Sequence, residues 1–190
     1  MGPWICWLTS RKLNAGGDHC DRAPNDFHIT RVDRSADHVL RNLFEHYLHD
    51  MAQWFEFDTE IDGRYAYSTG EVWDKGYDVY FAYTAAMPIG FALVGSAETW
   101  TNNAAMRDMD EFFVMRRYRR HGVGAAFANY LWDQYPGDWL VRVLQGNLPA
   151  MPFWRGIIAT RTANEFHEEA RISNQRPWSY FTFISANFKR

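Results

Sequence analysis

The chain of 190 residues has little cysteine and no long apolar run. Cys6 and Cys20 are its only two cysteines, and they do not form a Cys-x-x-Cys pair. Two cysteines provide no disulfide framework, so we expect a reducing, cytoplasmic setting. No stretch approaches the roughly 20 apolar residues that span a bilayer, and residues 1–8 lack the basic flank of a signal peptide. The sequence therefore predicts no membrane partner.

The chain also lacks a strong charge of either sign. A net charge of −3 argues against a dedicated nucleic-acid binder. The charges are unevenly distributed, however: residues 26–111 hold 16 acidic and 6 basic residues, whereas residues 112–190 hold 11 basic and 5 acidic residues. This division fits a cationic ligand on one side and an anionic ligand on the other, and it fits an uneven surface equally well.

Apolar residues, in contrast, are abundant enough for one well-covered core, with 47% hydrophobic and 17% aromatic residues. Residues 1–26 have no periodicity and predict a loose leader, and residues 27–190 predict a single domain. Periodicity predicts strands at residues 27–32, 79–84, 89–95, 109–115, 139–144, 162–170 and 178–184, and helices at residues 37–55 (capped by Asp37), 122–135 and 149–159. Residues 56–76 read as loops that can include a short helix, and residues 97–107 read as a polar loop. The order indicates an α/β domain with a mixed sheet.

The most informative stretch is Arg119-Arg120-His121-Gly122-Val123-Gly124-Ala125, which lies between a predicted strand and a predicted helix. A helix N-terminus offers convergent N–H donors and a favourable dipole to phosphate oxygens. The two glycines allow the backbone to approach an anion closely. Taken alone, the pattern is more typical of an ordinary loop before a helix, with solvated arginines. It is not a Walker loop, because no Gly-Lys-Ser/Thr follows, and it lacks the third glycine of a dinucleotide fingerprint.

Three features in order give this stretch a resemblance to a known family. Arg119-x-x-Gly122-x-Gly124 resembles the Arg/Gln-x-x-Gly-x-Gly/Ala signature of the GNAT N-acetyltransferase superfamily. The strand ending at residue 114 is similar to the family's fourth strand. Asn147, followed by Ala150 and Trp154, is similar to its Asn-x-x-Ala-x-x-x-aromatic segment.

The resemblance implies a mixed, mostly antiparallel sheet of six to seven strands flanked by helices and splayed between strands four and five. It implies acetyl-CoA as co-substrate, no metal, and direct attack of a primary amine on the thioester. The backbone of Phe113 and Val114 would then pair with the pantetheine arm. The residues that the resemblance assigns to the cofactor are Phe113, Val114, Arg119, Arg120, His121, Gly122, Val123, Gly124, Ala125, Asn147 and Trp154.

Two positions depart from the family pattern. Trp154 stands where many members have a Tyr that acts as the general acid, and Arg142 stands where some members have a Glu. The resemblance implies an acidic residue four positions before Val114, as in several small-molecule transferases of the family, so the candidate bases are Asp110 first and Glu111 second. Strand alternation predicts that Asp108 and Asp110 share a face with Val114 and that Glu111 points the other way. Equally, these carboxylates can be solvated or paired with arginines. The general acid is open among Tyr118, Tyr180 and water, with Tyr180 a weak candidate.

Carboxylates and aromatic rings alternate between residues 45 and 67, where GNAT enzymes form the acceptor site. Tyr47, Asp58 and Asp62 are thus candidate substrate residues, which favours a small cationic amine, although a solvated loop explains the pattern equally well. The alternatives are a protein or peptide N-acetyltransferase and an inactive acyl-CoA-binding module. Glu45-His46-x-x-His49 lacks a third ligand, so we predict no metal. Two predicted sheet edges make a homodimer a possible partner arrangement.

Overall fold

A seven-stranded sheet runs through the computed structural model, which describes residues 27–186. Its strands are β1 (Phe27–Val32), β2 (Asp78–Thr84), β3 (Met87–Ser96), β4 (Arg107–Val114), β5 (Gly137–Leu144), β6 (Phe166–Ser173) and β7 (Arg176–Ser185). The helices are α1 (Asp37–Met51), α2 (Gly70–Asp74), α3 (Glu98–Thr101), α4 (Val123–Gln134) and α5 (Ala150–Thr162). The predicted leader lies outside the described residues.

The strand order is β1-β2-β3-β4-β5-β7-β6. Every neighbouring pair is antiparallel except β4 and β5, which are parallel. This arrangement confirms the predicted mixed, mostly antiparallel sheet flanked by helices. Among the described residues, no helix is long and apolar enough to cross a membrane.

Helices cover both faces of the sheet, which explains why β3 is buried along almost its whole length. On one face, α4 and α5 contribute Phe127, Trp132 and Ile158 to the larger core, and all three side chains are fully buried. On the other face, α1 packs Leu40 and Phe44 against β2, β3 and β4. Each such large apolar side chain contributes about 1.5–3 kcal/mol by leaving water.

The sheet opens between β4 and β5. These strands pair over only three residues, Arg107 to Met109 on β4 with Trp139 to Val141 on β5. Beyond that point β4 continues to Val114 and β5 to Leu144, without pairing to each other. We call this gap the opening. It confirms the predicted splay between strands four and five.

The first helix is shorter than predicted. It ends at Met51 rather than near residue 55: Trp54 and Phe55 still donate their backbone N–H groups to the Met51 carbonyl, but the Trp54 carbonyl accepts from Arg176 of β7 instead of from the next turn of a helix. Asp37 does not cap α1, since it already lies inside the helix and its carboxylate reaches towards α2. Two further expectations need correction: a short α3 interrupts the predicted polar loop, and the last helix extends to Thr162, so β6 begins only at Phe166.

Residues 52–69, which we call the strap, connect α1 to α2 and are held at both ends. At one end, the Thr69 hydroxyl donates to the Asp37 carboxylate at 2.6 Å. At the other end, Arg176 of β7 donates to the Trp54 carbonyl at 2.6 Å and lies over the Phe55 ring. Because α1 packs on the β3–β4 side while Arg176 follows the turn beside the end of β5, the strap crosses from one side of the opening to the other.

Candidate active site

A left-handed turn precedes α4 at one end of the opening. Arg120 has a φ of 64° and Gly122 a φ of 80°. The hydrogen bonds of the helix begin with the N–H of Ala126, which donates to the Gly122 carbonyl. No side chain among residues 27–186 caps this helix. The N–H groups of the first helical turn therefore point out of the helix end, where they can bind an anion.

The two glycines of this turn have different roles. A side chain at Gly122 would meet no atom within 4 Å, so this position needs glycine for its positive φ and for open space above the helix end. A side chain at Gly124 would stand 3.2 Å from the Phe153 ring of α5. Gly124 therefore allows α4 and α5 to begin side by side.

Two of the arginines near the turn form ion pairs within the fold, and a third is exposed to solvent. Arg119 donates to the Val114 carbonyl at 2.6 Å and to the Asp50 carboxylate at 2.5 Å, and Arg116 pairs with Asp50 at 2.6 Å. Burial opposes ionisation of Asp50, but these hydrogen bonds lower its pKa below the ordinary value. Arg119 thus ties α1 to the turn, while Arg120 is exposed beside the helix end.

One edge of β4 faces the opening. Met115 donates its N–H to the Ile89 carbonyl of β3 at 2.8 Å, and Phe113 pairs in register with Phe91. Because backbone groups of successive residues point to opposite sides of a strand, the N–H and carbonyl of Val114 point into the opening and those of Phe113 point towards β3. Of the two residues expected to offer their backbone to an extended ligand, Val114 is the one so placed, and it can do so through its N–H, because its carbonyl already accepts from Arg119.

A β-bulge changes the direction of the β4 carboxylates. Leu93 pairs with Glu111 and Val94 pairs with Met109, so Asp110 is the extra residue. Asp108 and Asp110 consequently do not share a face with Val114, which packs in the core beneath α4 and α5. This corrects the expectation from simple alternation, because the extra residue resets the period of two. Asp108, Asp110 and Glu111 all lie on the α1 side of the sheet.

Arg142 of β5 binds two of these carboxylates at the point where the strands part. Its guanidinium donates to Asp108 at 2.8 Å and to Asp110, and it lies 4.2 Å from the centre of the Trp100 ring. The Asp108 side chain is only 1% exposed. Burial raises the pKa of Asp108 to about 6, against the lowering effect of Arg142.

Glu111 is the carboxylate of this group that does not bind Arg142 directly. It accepts a hydrogen bond from the Tyr47 hydroxyl of α1. Burial, and next the charge of Asp110, raise the pKa of Glu111 well above the usual range of a carboxyl group, while Tyr47 and Arg142 oppose the shift. We call Tyr47, Asp108, Asp110, Glu111 and Arg142 the carboxylate cluster.

A cavity of about 220 Å³ lies beside the cluster, between α2, the strap and the sheet. Asp110, Tyr67 and Tyr77 line it together with Lys75. The Tyr67 ring stacks on Phe44 of α1 at 4.5 Å, which fixes the strap above the sheet. Glu71 also lines the cavity and pairs with Lys75, so Asp110 and the two rings leave a pocket that suits a compact cationic group.

The predicted substrate residues are not gathered at one place. Tyr47 belongs to the carboxylate cluster. Asp58 lines a second, more open cavity of about 520 Å³ with His49 and Tyr65. Asp62 is exposed in the strap, where its carboxylate accepts a hydrogen bond from the Arg64 N–H at 3.1 Å.

The other sequence candidates lie in α5, in β7 and in the turn itself. The Asn147 side chain accepts from the Ala150 N–H at 3.2 Å and so caps the start of α5. Trp154 is buried between the Phe112 and Trp132 rings. Tyr180 is buried on β7, next to Arg142 in register. His121 and Val123 lie in the turn, and the His121 Nδ1 atom is buried without a partner among the described residues. The first turn of α4 contains Ala125.

With β4 and β5 parted and α4 following β4, the chain has the fold of the GNAT acetyltransferases. Residues 27–186 contain no group of three or more His, Cys, Asp or Glu placed to hold a metal ion.

Comparisons with solved structures carry this assignment of the fold. The ribosomal-protein-S18-alanine N-acetyltransferase from Escherichia coli matches 87% of this chain and 99% of its own, at 13% identity and a TM-score of 0.60. The putative acetyltransferase yncA from Salmonella typhimurium, solved with acetyl-CoA, matches 87% and 98% at 15% identity and a TM-score of 0.58. The aminoglycoside acetyltransferase AAC(6')-Ib, solved with coenzyme A, matches 84% and 95% at 13% identity and a TM-score of 0.61. No family model and no curated protein sequence matches the chain.

Proposed function

We propose that the protein is an N-acetyltransferase that moves an acetyl group from acetyl-CoA to a primary amine of a small, cationic molecule. The observation that carries this proposal is the position of β4. One end of its free edge, at Val114, adjoins the uncapped N-terminus of α4, and Glu111 of the same strand lies on the α1 side, where the Tyr47 hydroxyl donates to it. A donor with an anionic end and an extended arm fits along that edge.

The residues present fit coenzyme A. The N–H groups of the α4 end, together with exposed Arg120, would hold the pyrophosphate, and the Val114 N–H would bind an amide of the pantetheine arm. When bound, acetyl-CoA supplies the thioester that is the acyl donor. Asn147 would act through the start of α5, and Trp154 and Phe113 through packing, since Trp154 is buried in the core and the Phe113 backbone pairs with β3.

Glu111 fits the role of general base better than Asp110. An amine acceptor arrives as an ammonium ion and must lose a proton before its nitrogen can form a bond to the acetyl carbon. A carboxylate with a raised pKa can accept this proton near neutral pH, whereas Asp110 is already bound to Arg142. The carbon–sulfur bond then breaks, and the leaving thiolate takes a proton from Tyr180 or from water.

The acceptor side favours a small molecule. The strap crosses the opening and is fixed at both ends, and the cavity beside Asp110 holds only about 220 Å³. Of the candidate contacts for a cationic acceptor, Tyr47 lies next to the proposed base, while Asp58 and Asp62, which do not line that cavity, remain predictions from sequence. A protein acceptor would need the strap to move. The cytoplasmic setting and the homodimer remain predictions from sequence.

The test is release of free CoA thiol from acetyl-CoA in the presence of polyamines, aminoglycosides, amino acids or basic peptides. We expect thiol release with one class of small amine and little with peptides. Release with peptides alone would instead support a protein acetyltransferase. Binding of acetyl-CoA without release across all acceptors would contradict the enzymatic proposal and support an acyl-CoA-binding module.

A further inference from the structure

Arg142 occupies the position one residue beyond Val141, the last residue of β5 that pairs with β4. Its side chain is 12% exposed and its guanidinium is bound by Asp108, Asp110 and the face of Trp100. A guanidinium held in this way has no freedom to reach a ligand. We therefore ask how its positive charge affects the neighbouring carboxylates.

The bulge places Asp110 and Glu111 next to each other on the same face of β4. Among residues 27–186, Arg142 is the one cation that forms ion pairs with the three carboxylates of the cluster, through Asp108 and Asp110. A nearby negative charge makes it harder for a carboxyl group to lose its proton, and a nearby positive charge makes it easier. Asp110 and Arg142 must therefore act on Glu111 in opposite directions.

We propose that Arg142 and Asp110 are positioning residues that together set the proton affinity of Glu111. Arg142 keeps that affinity low enough for the carboxylate to form near neutral pH, and Asp110 keeps it high enough for Glu111 to take a proton from an ammonium ion. The catalytic meaning rests on the proposed acetyltransferase function. The electrostatic coupling is a property of the cluster itself.

Other groups that face Glu111 do not replace this pair. Tyr47 from α1 donates to it, and Tyr67 from the strap interacts with its charge. Burial raises the pKa of both phenols further above neutral, so neither ionises in the relevant range. Asp108 faces Glu111 from β4 and is itself bound by Arg142.

Two further groups, Lys75 and Tyr77, interact with Asp110. Lys75 also pairs with Glu71 on the exposed side of α2, and burial raises the pKa of Tyr77 above its ordinary value. The strongest positive influence on the cluster is therefore Arg142.

The experiment is an NMR titration of the full chain with ¹³C-labelled glutamate carboxyl groups, in which the Glu111 signal is assigned by its loss in Glu111→Gln. We expect Asp110→Asn to move the Glu111 midpoint to lower pH and Arg142→Met to move it to higher pH, each by about one unit. Arg142→Lys keeps the charge and should move it less than Arg142→Met. Unchanged midpoints, or shifts of both variants in the same direction, would overturn the proposal.

Two controls keep the result interpretable. Glu169→Gln removes an exposed carboxylate that pairs with Arg171 on β6, and it should leave the Glu111 midpoint unchanged. If Arg142→Met does not fold, Asp110→Asn decides alone, because it leaves the Arg142–Asp108 pair intact.

The titration also separates this proposal from the proposed function. Opposite shifts in a protein that transfers no acetyl group would support the coupling and refute the activity. Acetyl transfer with an unmoved Glu111 midpoint would refute the coupling alone. If both proposals hold, the acid limb of the pH profile of kcat/KM also moves, to lower pH in Asp110→Asn and to higher pH in Arg142→Met.

Discussion

The glycine turn and the carboxylate cluster lie at the two ends of one short stretch of β4, and the chain builds them differently. The turn consists of consecutive residues whose shape follows from a positive φ at Gly122 and a helix that starts at Val123. The cluster joins Tyr47 of α1, Glu111 of β4 and Arg142 of β5, which are far apart in sequence. A site formed by consecutive residues can be predicted from a sequence motif. A site formed by several elements depends on how the strands pair, which the motif does not give.

The largest expected effect is on the cluster. Replacing Glu111 with Gln removes the proposed base, so we expect kcat to fall by at least about 100-fold. Steady-state rates with the best amine acceptor measure this. Glu169→Gln is the matched control and should keep kcat within about twofold, because an exposed pair with Arg171 contributes little. Full activity of Glu111→Gln would show that the base is elsewhere.

The turn should give the next largest effect. Gly122→Glu places a carboxylate at the α4 end, where the phosphates would bind, so we expect the affinity for CoA to fall at least about tenfold. Gly63→Glu is the control, since both glycines have a φ of 80° and open space around them. Calorimetric titration with CoA measures both variants. Equal affinities for the two variants would contradict the turn as the anion site.

The strap tests whether the acceptor side is held closed. Arg176→Ala removes the hydrogen bond to the Trp54 carbonyl and the contact with the Phe55 ring. We expect trypsin to cleave after exposed Arg64 about two- to fivefold faster, because cleavage needs local opening. Arg155→Ala, which breaks an exposed pair with Glu168 instead, serves as the comparison. Identical cleavage rates would show that Arg176 does not hold the strap.

The smallest effect concerns stability and pH. The folded-state pKa of Glu111 is raised, so the folded chain binds more protons than the unfolded chain above about pH 4.3, and stability falls as pH rises towards the folded pKa. Glu111→Gln removes this loss. We expect it to raise Tm by at least about 3 °C at pH 8 and to leave Tm nearly unchanged at pH 4. A gain that is independent of pH would argue against a raised pKa.

The seven strands were predictable because their hydrophobic patterns are distinct. Sequence periodicity placed β1 at the residues where it occurs and located β5 and β7 to within two or three residues. The end of α1 was not predictable in this way, because Trp54 continues the helical pattern but its carbonyl binds Arg176 of β7. A tertiary contact outweighs local propensity there.

The site was predictable only in part for the same reason. The glycine turn could be located from seven consecutive residues, but nothing local indicates that Asp110 is an extra residue in the β3–β4 pairing. That single insertion brings Asp108 and Asp110 to the face on which Glu111 already lies. Arg142 stood out in the sequence as a departure from the family pattern. Its partners Asp108 and Trp100 become evident only when β5 is placed beside β4.

The most direct test of the account follows the acetyl group itself. The full chain is incubated with acetyl-CoA carrying a ¹³C-labelled acetyl group and an equal mixture of a polyamine, an aminoglycoside, an amino acid and a basic peptide, and mass spectrometry then measures the label on each amine. The account predicts label on one small amine, and much less of it with Glu111→Gln. Label found only in free acetate or only on the peptide would contradict it.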